Sequence, residues 1–420
     1  MKDIYPVNPW EFLWDDEERW TLAGGSVSDK IPNEETLAEV RESCRHLALT
    51  NEFAINGHEN RISFIVGSGH LFHVEPKPGH AVSESELARA REVLETFLEE
   101  NRWYERQQEI VRRKDRDGEA FLRIFSGSDG STRIRFVEPE EVETPAGLRD
   151  DGDTSSRFGI RTFRRDVESV VGYWIGGSFV RADEIQHRKA NVDFNVRRGI
   201  PVFYPVRKNL RRAEKLLRNM SVVAEIQSAI AIIRKHNVSG RSGVENFVRA
   251  ETDYTASQGN RPTYFRQYSP GTILDTSAGI DYQFPVAAID ATRYVAVLQA
   301  ELRAIASRLV MPEFMLTSDA SNANYSSTMI AEGPAVRMFQ RLQQEMIRDD
   351  VRLMRRVLQN AAVGGVLEES TPERLVVRIT PPGLSVRDRL QEVQADKILV
   401  ELGAMTVPQL AARHGVQMNR

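Results

Sequence analysis

The chain has 420 residues, 41% of them hydrophobic and 28% charged. At roughly 100–200 residues per domain we expect two to four units, and this composition excludes a mainly disordered protein. The net charge is −4, which argues against an overall positive field that grips nucleic acid, but not against a surface over which nucleic acid passes.

The first half of the chain reads as mixed helix and strand. We predict a short helix over 33–51, strand material over 61–76, and one long helix over 83–117 that opens with a capping box of Ser83 and Glu86. Residues 119–139 predict a hairpin with Phe121, Arg123 and Phe125 on one strand, Arg133, Arg135 and Val137 on the other, and Asp129-Gly130 at the turn. Two short strands around Gly176 and Gly177 complete a small β-rich unit.

The second half is dominated by long helices. We predict a helix from about 205 to His236, a small insertion of short strands and turns over 237–285, and a second long helix that ends at Pro312. A third long helix follows Gly333-Pro334 and ends at Gly364-Gly365. A strand over 374–382 and two terminal helices close the chain.

Signals for catalysis and metal binding are weak. The sequence lacks P-loop, HExxH, CxxC and GxSxG motifs. His70, His73 and His80 cluster but lack a third fixed ligand, so we interpret them as turn and strand histidines. Asp349 and Asp350 are interpreted as part of a solvated helical face. We therefore predict no catalytic residue, no metal and no cofactor.

Targeting and redox signals are also weak. The single cysteine, Cys44, excludes an intrachain disulfide, and its helical surroundings favour a buried, inert thiol. The first twenty residues lack a basic start followed by an apolar core, and no apolar run approaches the ~18 residues of a membrane span. We expect no signal peptide and no membrane contact.

Two polar stretches are candidate functional surfaces. The segment 317–333, TSDASNANYSSTMIAEG, lies between two helices yet consists mainly of small and polar residues, with Tyr325 as its single aromatic. The beginning of the helix at 205 is strongly basic, and we expect it to bind phosphates, to line a subunit contact or to form a salt-bridge network. Its basic residues are Arg207, Lys208, Arg211, Arg212, Lys215 and Arg218.

Four strings together resemble the lambda-like family of bacteriophage portal proteins. They are GEAFLRIFSGSDGSTRIRFVEPEEVETP (118–145), ADEIQHRKANVDFNVRRGIPVFYPVRKNLRR (182–212), LRAIASRLVMPEFMLTSDASNANYSSTMIAEGPAVRMFQRLQ (302–343) and SVRDRLQEVQADKILVELGAMTVPQLAARHG (385–415). The resemblance covers roughly residues 100–416 and rests on the ordered set. The chain ends at Arg420, before the long tail that members of the family often carry.

The resemblance implies an α+β portal fold. The wing would take residues 1–204, the first stem helix 205–236, the clip 237–286 and the second stem helix 287–312. Residues 313–385 would hold the tunnel loop, a long helix and the return to the wing, and 386–420 a short helical crown. The tunnel-loop residues would be Ser318, Asp319, Ser321, Asn322, Asn324, Tyr325, Ser326 and Ser327.

The same resemblance implies partners. Twelve copies would form a ring at one capsid vertex of a virion, assembled in the host cytoplasm, with double-stranded DNA passing through it during packaging and ejection. The ring would contact the major capsid and scaffolding proteins, and its clip would dock the terminase large subunit and head–tail adaptor proteins. The clip residues would be Arg241, Arg249, Tyr254, Arg261, Tyr264 and Arg266.

A conduit explains the polar loop. Base contacts specify sequence and phosphate contacts grip the duplex, and a channel for moving DNA needs neither. Small polar side chains offer weak, replaceable hydrogen bonds instead. Two other readings compete: a metal-dependent nuclease acting through an acidic cluster, and another ring-forming head–tail connector.

Overall fold

A computed structural model describes residues 34–148, 150, 152–236, 272–277, 291–319, 325–384, 389–407 and 410. The fold class is α+β, as expected. The chain forms two compact units. One unit consists of the described residues up to Arg207 together with those from Ala306 onward, and the other consists of those from Lys208 to Ile305.

The first unit begins with α1 (Glu34–Thr50), α2 (Glu52–Ile65), β1 (Leu71–Pro76), α3 (Glu84–Glu100), α4 (Trp103–Arg116), β2 (Glu119–Ser126) and β3 (Thr132–Val137). It continues with β4 (Thr154–Arg157), β5 (Ile160–Phe163), β6 (Val170–Ile175), β7 (Ser178–Arg181) and β8 (Ile185–Lys189). The second unit then holds most of α5 (Arg207–Ala229) and α6 (Ala291–Leu309), with β9 (Ile230–His236) and β10 (Thr272–Ser277) between them. The last elements are α7 (Glu313–Thr317), α8 (Tyr325–Val363), α9 (Thr371–Arg374), β11 (Leu375–Thr380) and α10 (Arg389–Glu401).

The predicted hairpin is confirmed. β2 and β3 pair antiparallel, with Phe121 opposite Val137, Arg123 opposite Arg135 and Phe125 opposite Arg133. β8 pairs with the other edge of β2, and β4 to β7 form a separate antiparallel sheet in chain order. β1 pairs with β11, so the two ends of the first unit meet in one small sheet.

The long helix predicted over 83–117 is two helices. Ser83 and Glu86 form the predicted capping box, but the chain breaks at Asn101 and Arg102, where Arg102 has a left-handed φ of 47°. The Asn101 amide donates to the carbonyls of Phe97 and Thr132. Its oxygen accepts from the Ile134 N–H at 2.8 Å. Because Thr132 and Ile134 lie on β3, far from this helix in sequence, the local helical pattern did not predict the break.

The strand predicted over 61–76 is also wrong in its first part. Residues 61–65 belong to α2, whose N-cap Asn51 accepts a hydrogen bond from the Ala54 N–H, and only Leu71–Pro76 is a strand. A β-carbon at Gly57 of α2 would lie 2.4 Å from a methyl carbon of Leu309. This close packing stabilises a helix where β-branched residues locally favour a strand.

The helix predicted to reach His236 ends at Ala229. Ile230–His236 form β9, which pairs parallel with β10. The run Ile230, Ile232 and Ile233 is β-branched, and a sheet partner more than thirty residues away turns that propensity into a strand.

The main core of the first unit lies around α8. Its buried face, which includes Phe339, Leu353 and Val357, shares one apolar cluster with α3 and α4. Gly364, just after α8, lies so close to the turn of the β2–β3 hairpin that an added β-carbon would be 2.3 Å from Gly130 Cα. Among the described residues, no helix combines the length and apolarity of a membrane span.

Candidate functional site

The polar segment 317–333 is shorter as a loop than predicted. α8 begins at Tyr325, so Tyr325, Ser326 and Ser327 are helical, and Gly333 and Pro334 lie within the helix and do not separate it from a loop. Pro334 is the tenth residue of this 39-residue helix, and because proline lacks a backbone N–H it leaves the carbonyl of Ile330 without its usual helical donor. Ser321, Asn322 and Asn324 lie outside the described residues.

The first arm of this segment is fixed to the core by α2. Asn56 donates from Nδ2 to the carbonyls of Leu316 at 2.7 Å and Met315 at 3.1 Å. Asn60 donates to the same Met315 carbonyl at 2.8 Å. Carbonyls at the end of a helix lack intrahelical partners, so these amides satisfy the end of α7. Ser318 then turns the chain with a left-handed φ of 58°.

Asp319 follows that turn. Its backbone N–H lies 3.3 Å from the Thr317 hydroxyl, which itself donates to the Glu313 carbonyl. Ser318 and Asp319 therefore lie next to each other at the beginning of the polar segment, which the hydrogen bonds from Asn56 and Asn60 hold in place. The sequence predicted both residues to lie in the loop but did not predict these hydrogen bonds. The signal for the anchor was present as Asn56 and Asn60, which are spaced by one helical turn on α2.

The residues of the predicted basic face lie in the first half of α5. Arg207 lies over the Tyr204 ring, with its guanidinium carbon 4.5 Å from the ring centre. Arg212 pairs with Glu301 of α6 at 3.1 Å, and Asn209 donates to the other Glu301 oxygen at 2.7 Å. Arg211, Lys215 and Arg218 are exposed and Lys208 is half-buried. Part of this face thus ties α5 to α6, while part remains on the surface.

The predicted clip residues Arg241, Arg249, Tyr254, Arg261, Tyr264 and Arg266 lie outside the described residues. The strands β9 and β10 flank this stretch.

A buried ionic cluster that sequence reasoning missed lies where α4 leads into β2. Three acidic residues alternate along the chain, Asp115, Asp117 and Glu119, and each is buried. Asp115 accepts both Nε and Nη2 of Arg61, at 2.8 and 3.0 Å, and lies 3.4 Å from His58 Nδ1. Burial alone would raise the pKa of Asp115, but Arg61 and His58 lower it to about 2.

Glu119 is the centre of this cluster. Its carboxylate pairs with Arg41 and with Arg198 Nε, the latter at 2.7 Å. It also accepts from His187 Nε2 at 2.8 Å and the Gly199 N–H at 3.0 Å. Burial opposes ionisation, yet these donors hold the pKa of Glu119 well below its usual range. Burial lowers the pKa of His187.

The arginines of the cluster reach several segments. Arg198 also donates to the carbonyls of Pro139, Val142 and Phe158. Arg45 pairs with Asp117 at 2.5 Å. The cluster therefore links α1, α2, the hairpin and the loop before α5. Its sequence signal is the acidic alternation in DRDGE, which stands amid many arginines.

The interpretation of Asp349 and Asp350 as a solvated face is wrong for Asp350. Its carboxylate is fully buried and accepts from Arg188 Nη2 and Gln107 Nε2, both at 2.7 Å. The Trp103 ring nitrogen lies 3.4 Å away. Asp349 is half-buried, and burial raises its pKa. Asp350 is a structural link between α8, α4 and β8.

The three histidines are not assembled. His70 is buried with Nε2 at 2.9 Å from the Ile65 carbonyl, whereas His73 lies on β1. Within the described ranges, no group of three His, Cys, Asp or Glu side chains is arranged to hold a metal. Cys44 is fully buried in α1. The ionised carboxylates of the cluster are occupied by arginines and hold the fold together.

The family described as phage portal protein, lambda family, matches residues 15–343. A search of curated proteins found no match. Among solved structures, the chain resembles one from the neck of an empty GTA particle, with 14% identity, a TM-score of 0.45, and coverage of 90% of this chain and 94% of that chain.

Two further solved structures are similar to this chain. One comes from the virion of a native gene transfer agent, with 13% identity, a TM-score of 0.44, and coverage of 96% of this chain and 98% of the other. The second is an HK97-family phage portal protein from Corynebacterium diphtheriae, with 8% identity, a TM-score of 0.35, and coverage of 84% and 96%. The match of the family to residues 15–343 covers well over half of the chain, and the chain therefore belongs to the lambda family of phage portal proteins.

Proposed function

We propose that this portal protein is a subunit of a twelve-membered ring at one vertex of a virion. The ring forms the channel through which double-stranded DNA enters during packaging and leaves during ejection. The observation that carries this proposal is the family match over residues 15–343. The chain acts as a structural component and catalyses no reaction of its own.

The parts of the subunit are assigned accordingly. The residues before α5 and those returning after α7 form the wing, α5 and α6 form the stem, and 237–286 form the clip that docks the terminase and the head–tail adaptors. The crown is 386–420. Two observations support this assignment: α5 and α6 are joined through Glu301, and they bracket the clip in sequence.

The segment 317–324 is the tunnel loop, which projects into the channel. Its base is fixed by Asn56 and Asn60, so that twelve copies would present their polar tips at one level. The loop offers hydroxyl and amide groups and a single carboxylate, Asp319. Such groups contact the duplex weakly and without reading sequence.

The first experiment is electron microscopy of the purified protein together with light scattering. The expected result is a ring with a central hole about as wide as a DNA duplex, at about twelve times the subunit mass of 47.7 kDa. A monomer that stays a monomer with the capsid and scaffolding proteins present would overturn the proposal. Incubation with plasmid DNA and Mg²⁺ or Mn²⁺ should leave the DNA intact.

A further inference from the structure

The solvent face of α8 carries a single line of arginine and glutamine side chains. Its exposed positions recur every three or four residues, which keeps them within about 80° of one another around the helix. The line runs for about 33 Å at 1.5 Å per residue. We call it the arginine stripe, and its members are Arg337, Arg341, Gln344, Arg348, Arg352, Arg355 and Gln359.

The charges of the arginine stripe are not neutralised within the part of the subunit that the structure describes. Among the described residues, Arg337, Arg341, Arg348 and Arg355 have no ion-pair partner. Arg352 approaches Asp349 only at 3.9 Å, and its side chain is 77% exposed. Glu345 borders the stripe and pairs inward with Lys114, while Asp350 pairs with Arg188 on the buried side of α8.

A complementary line lies on α3. Glu92, Glu95 and Glu99 are exposed and share one helical face, and we call them the glutamate stripe. No described residue forms an ion pair with any of the three. Arg89 borders this face, while Arg91 is engaged with Glu84 at 3.3 Å. The pKa of Tyr104 is raised, first by burial and then by Glu95 and Glu99.

The two stripes share a spacing but do not meet within one subunit. Arg341 and Arg348 are seven residues apart, as are Glu92 and Glu99, so both pairs repeat after about 10.5 Å on the same face of their helices. α3 and α8 turn their buried residues toward one common core, which includes Leu94 and Leu353. Each stripe therefore faces outward, and no ion pair joins them.

Unpaired stripes of opposite sign on one surface fit a contact between copies. A cyclic ring is built from heterologous contacts, in which one patch of a subunit meets a different patch of the next. We propose that the arginine stripe of one subunit docks against the glutamate stripe of its neighbour in the ring. The inference rests on the proposed ring, because it names the surfaces that close it.

The test is a charge swap. Arg341→Glu with Arg348→Glu places like charges across the contact and should raise the subunit concentration for half-assembly by about tenfold or more, because like-charge juxtaposition is strongly unfavourable. Glu92→Arg with Glu99→Arg should do the same. All four changes together should restore assembly. Arg157→Glu with Arg165→Glu, a matched reversal at exposed positions of the first unit, should leave assembly unchanged.

Assembly is measured by light scattering over a concentration series, and circular dichroism checks that each variant is folded. Where a reversal variant unfolds, Arg341→Gln with Arg348→Gln replaces it and should also weaken assembly. Wild-type assembly should weaken between 0.15 and 1 M salt, where the screening length falls from about 8 to about 3 Å.

The outcomes separate this inference from the proposed function. Wild-type rings with unaffected charge-reversal variants would overturn the inference and leave the proposed ring standing. Rings that survive Arg341→Glu with Arg348→Glu but lose affinity for duplex DNA would assign the stripe to DNA and also overturn it. A wild-type protein that never forms rings would overturn the proposed function itself.

Discussion

Arg198 directs its Nε at the Glu119 carboxylate across 2.7 Å, and both side chains are at most 5% exposed. A buried ion pair of this kind stabilises the fold only when its other polar atoms are also hydrogen-bonded, because removing two charges from water is costly. Here Arg198 also satisfies three backbone carbonyls, so its loss affects the chain at 139, 142 and 158 as well as Glu119.

Arg198→Met should therefore destabilise the first unit by about 3–5 kcal/mol, because the buried carboxylate loses a positive partner. Urea unfolding followed by circular dichroism measures the change. The control is Arg181→Met, since Arg181 is 73% exposed and pairs with Asp183 on the surface; its effect should stay below about 1 kcal/mol. Equal losses of unfolding free energy in the two variants would show that burial does not determine how much an ion pair contributes to stability.

Asp115 gives the cluster a pH dependence with a definite sign. Its folded-state pKa is about 2, below the ordinary value of 3.8. The stability that it contributes is present above pH 5 and is lost as the pH falls toward 2, because the unfolded chain takes up its proton first. The amount is about 2 kcal/mol.

Asp115→Asn should thus be less stable than the wild type at pH 7, and the gap should narrow by about 2 kcal/mol between pH 5 and pH 2. Urea unfolding at a series of pH values measures the gap. Glu119 titrates in both proteins, so its contribution cancels in the difference. A gap that stays constant across this range would contradict the lowered pKa.

The sequence correctly predicted the structural features that depend on residues close to one another in the chain. The β2–β3 hairpin followed from side chains alternating around the Asp129-Gly130 turn, and the capping box at Ser83 followed from its own four residues. The end of α8 followed from Gly364. In each case the partners that decide the structure lie within a few turns of one another.

Non-local contacts decided the rest. The break at Asn101 depends on Thr132 and Ile134, and the strand Ile230–His236 depends on β10. Asp350 is buried because Arg188 reaches it from β8, 162 positions away in sequence. Nothing near Asp350 in the sequence marks that partner, so a solvated helical face was the natural interpretation. The anchor of 315–318 depends in the same way on α2.

Two glycines at the ends of α8 should respond oppositely to alanine. Gly333 lies inside the helix with nothing within 4 Å of an added β-carbon, and the ~1 kcal/mol that alanine gains over glycine in a helix is reduced there because Pro334 crowds the β-carbon of the residue before it, so Gly333→Ala should stabilise the protein by less than about 0.5 kcal/mol. Gly364→Ala should destabilise it, because its β-carbon would lie 2.3 Å from Gly130 Cα and the hairpin turn would have to move. Thermal unfolding compares them, and a shift of the same sign in both would contradict the packing argument.

Asn56 should control the order of the segment base without controlling the fold. Asn56→Ala removes the donors to Met315 and Leu316, at a cost of about 1–2 kcal/mol. Amide hydrogen exchange at 317–319 should then become faster, while exchange in α8 stays unchanged. Asn195→Ala, at an exposed position, is the control. Unchanged exchange at 317–319 would show that Asn60 holds the base alone.

If the segment 317–324 is the tunnel loop, as proposed, its lack of positive charge should be necessary for DNA movement. Asn322→Arg with Asn324→Arg would add two cations per subunit, and each phosphate that a cation neutralises releases counterions and strengthens binding. In the proposed ring of twelve these contacts would add up, so packaged DNA per particle should fall while ring assembly is retained. Asn322→Ser with Asn324→Ser, which keeps these two positions small and uncharged, should package normally. DNase-protected DNA per particle measures the effect, and the loss should diminish at higher salt because the added contacts are ionic. Normal packaging by the arginine variant would mean that the loop does not approach the duplex, and the assignment of 317–324 to the channel would then be wrong.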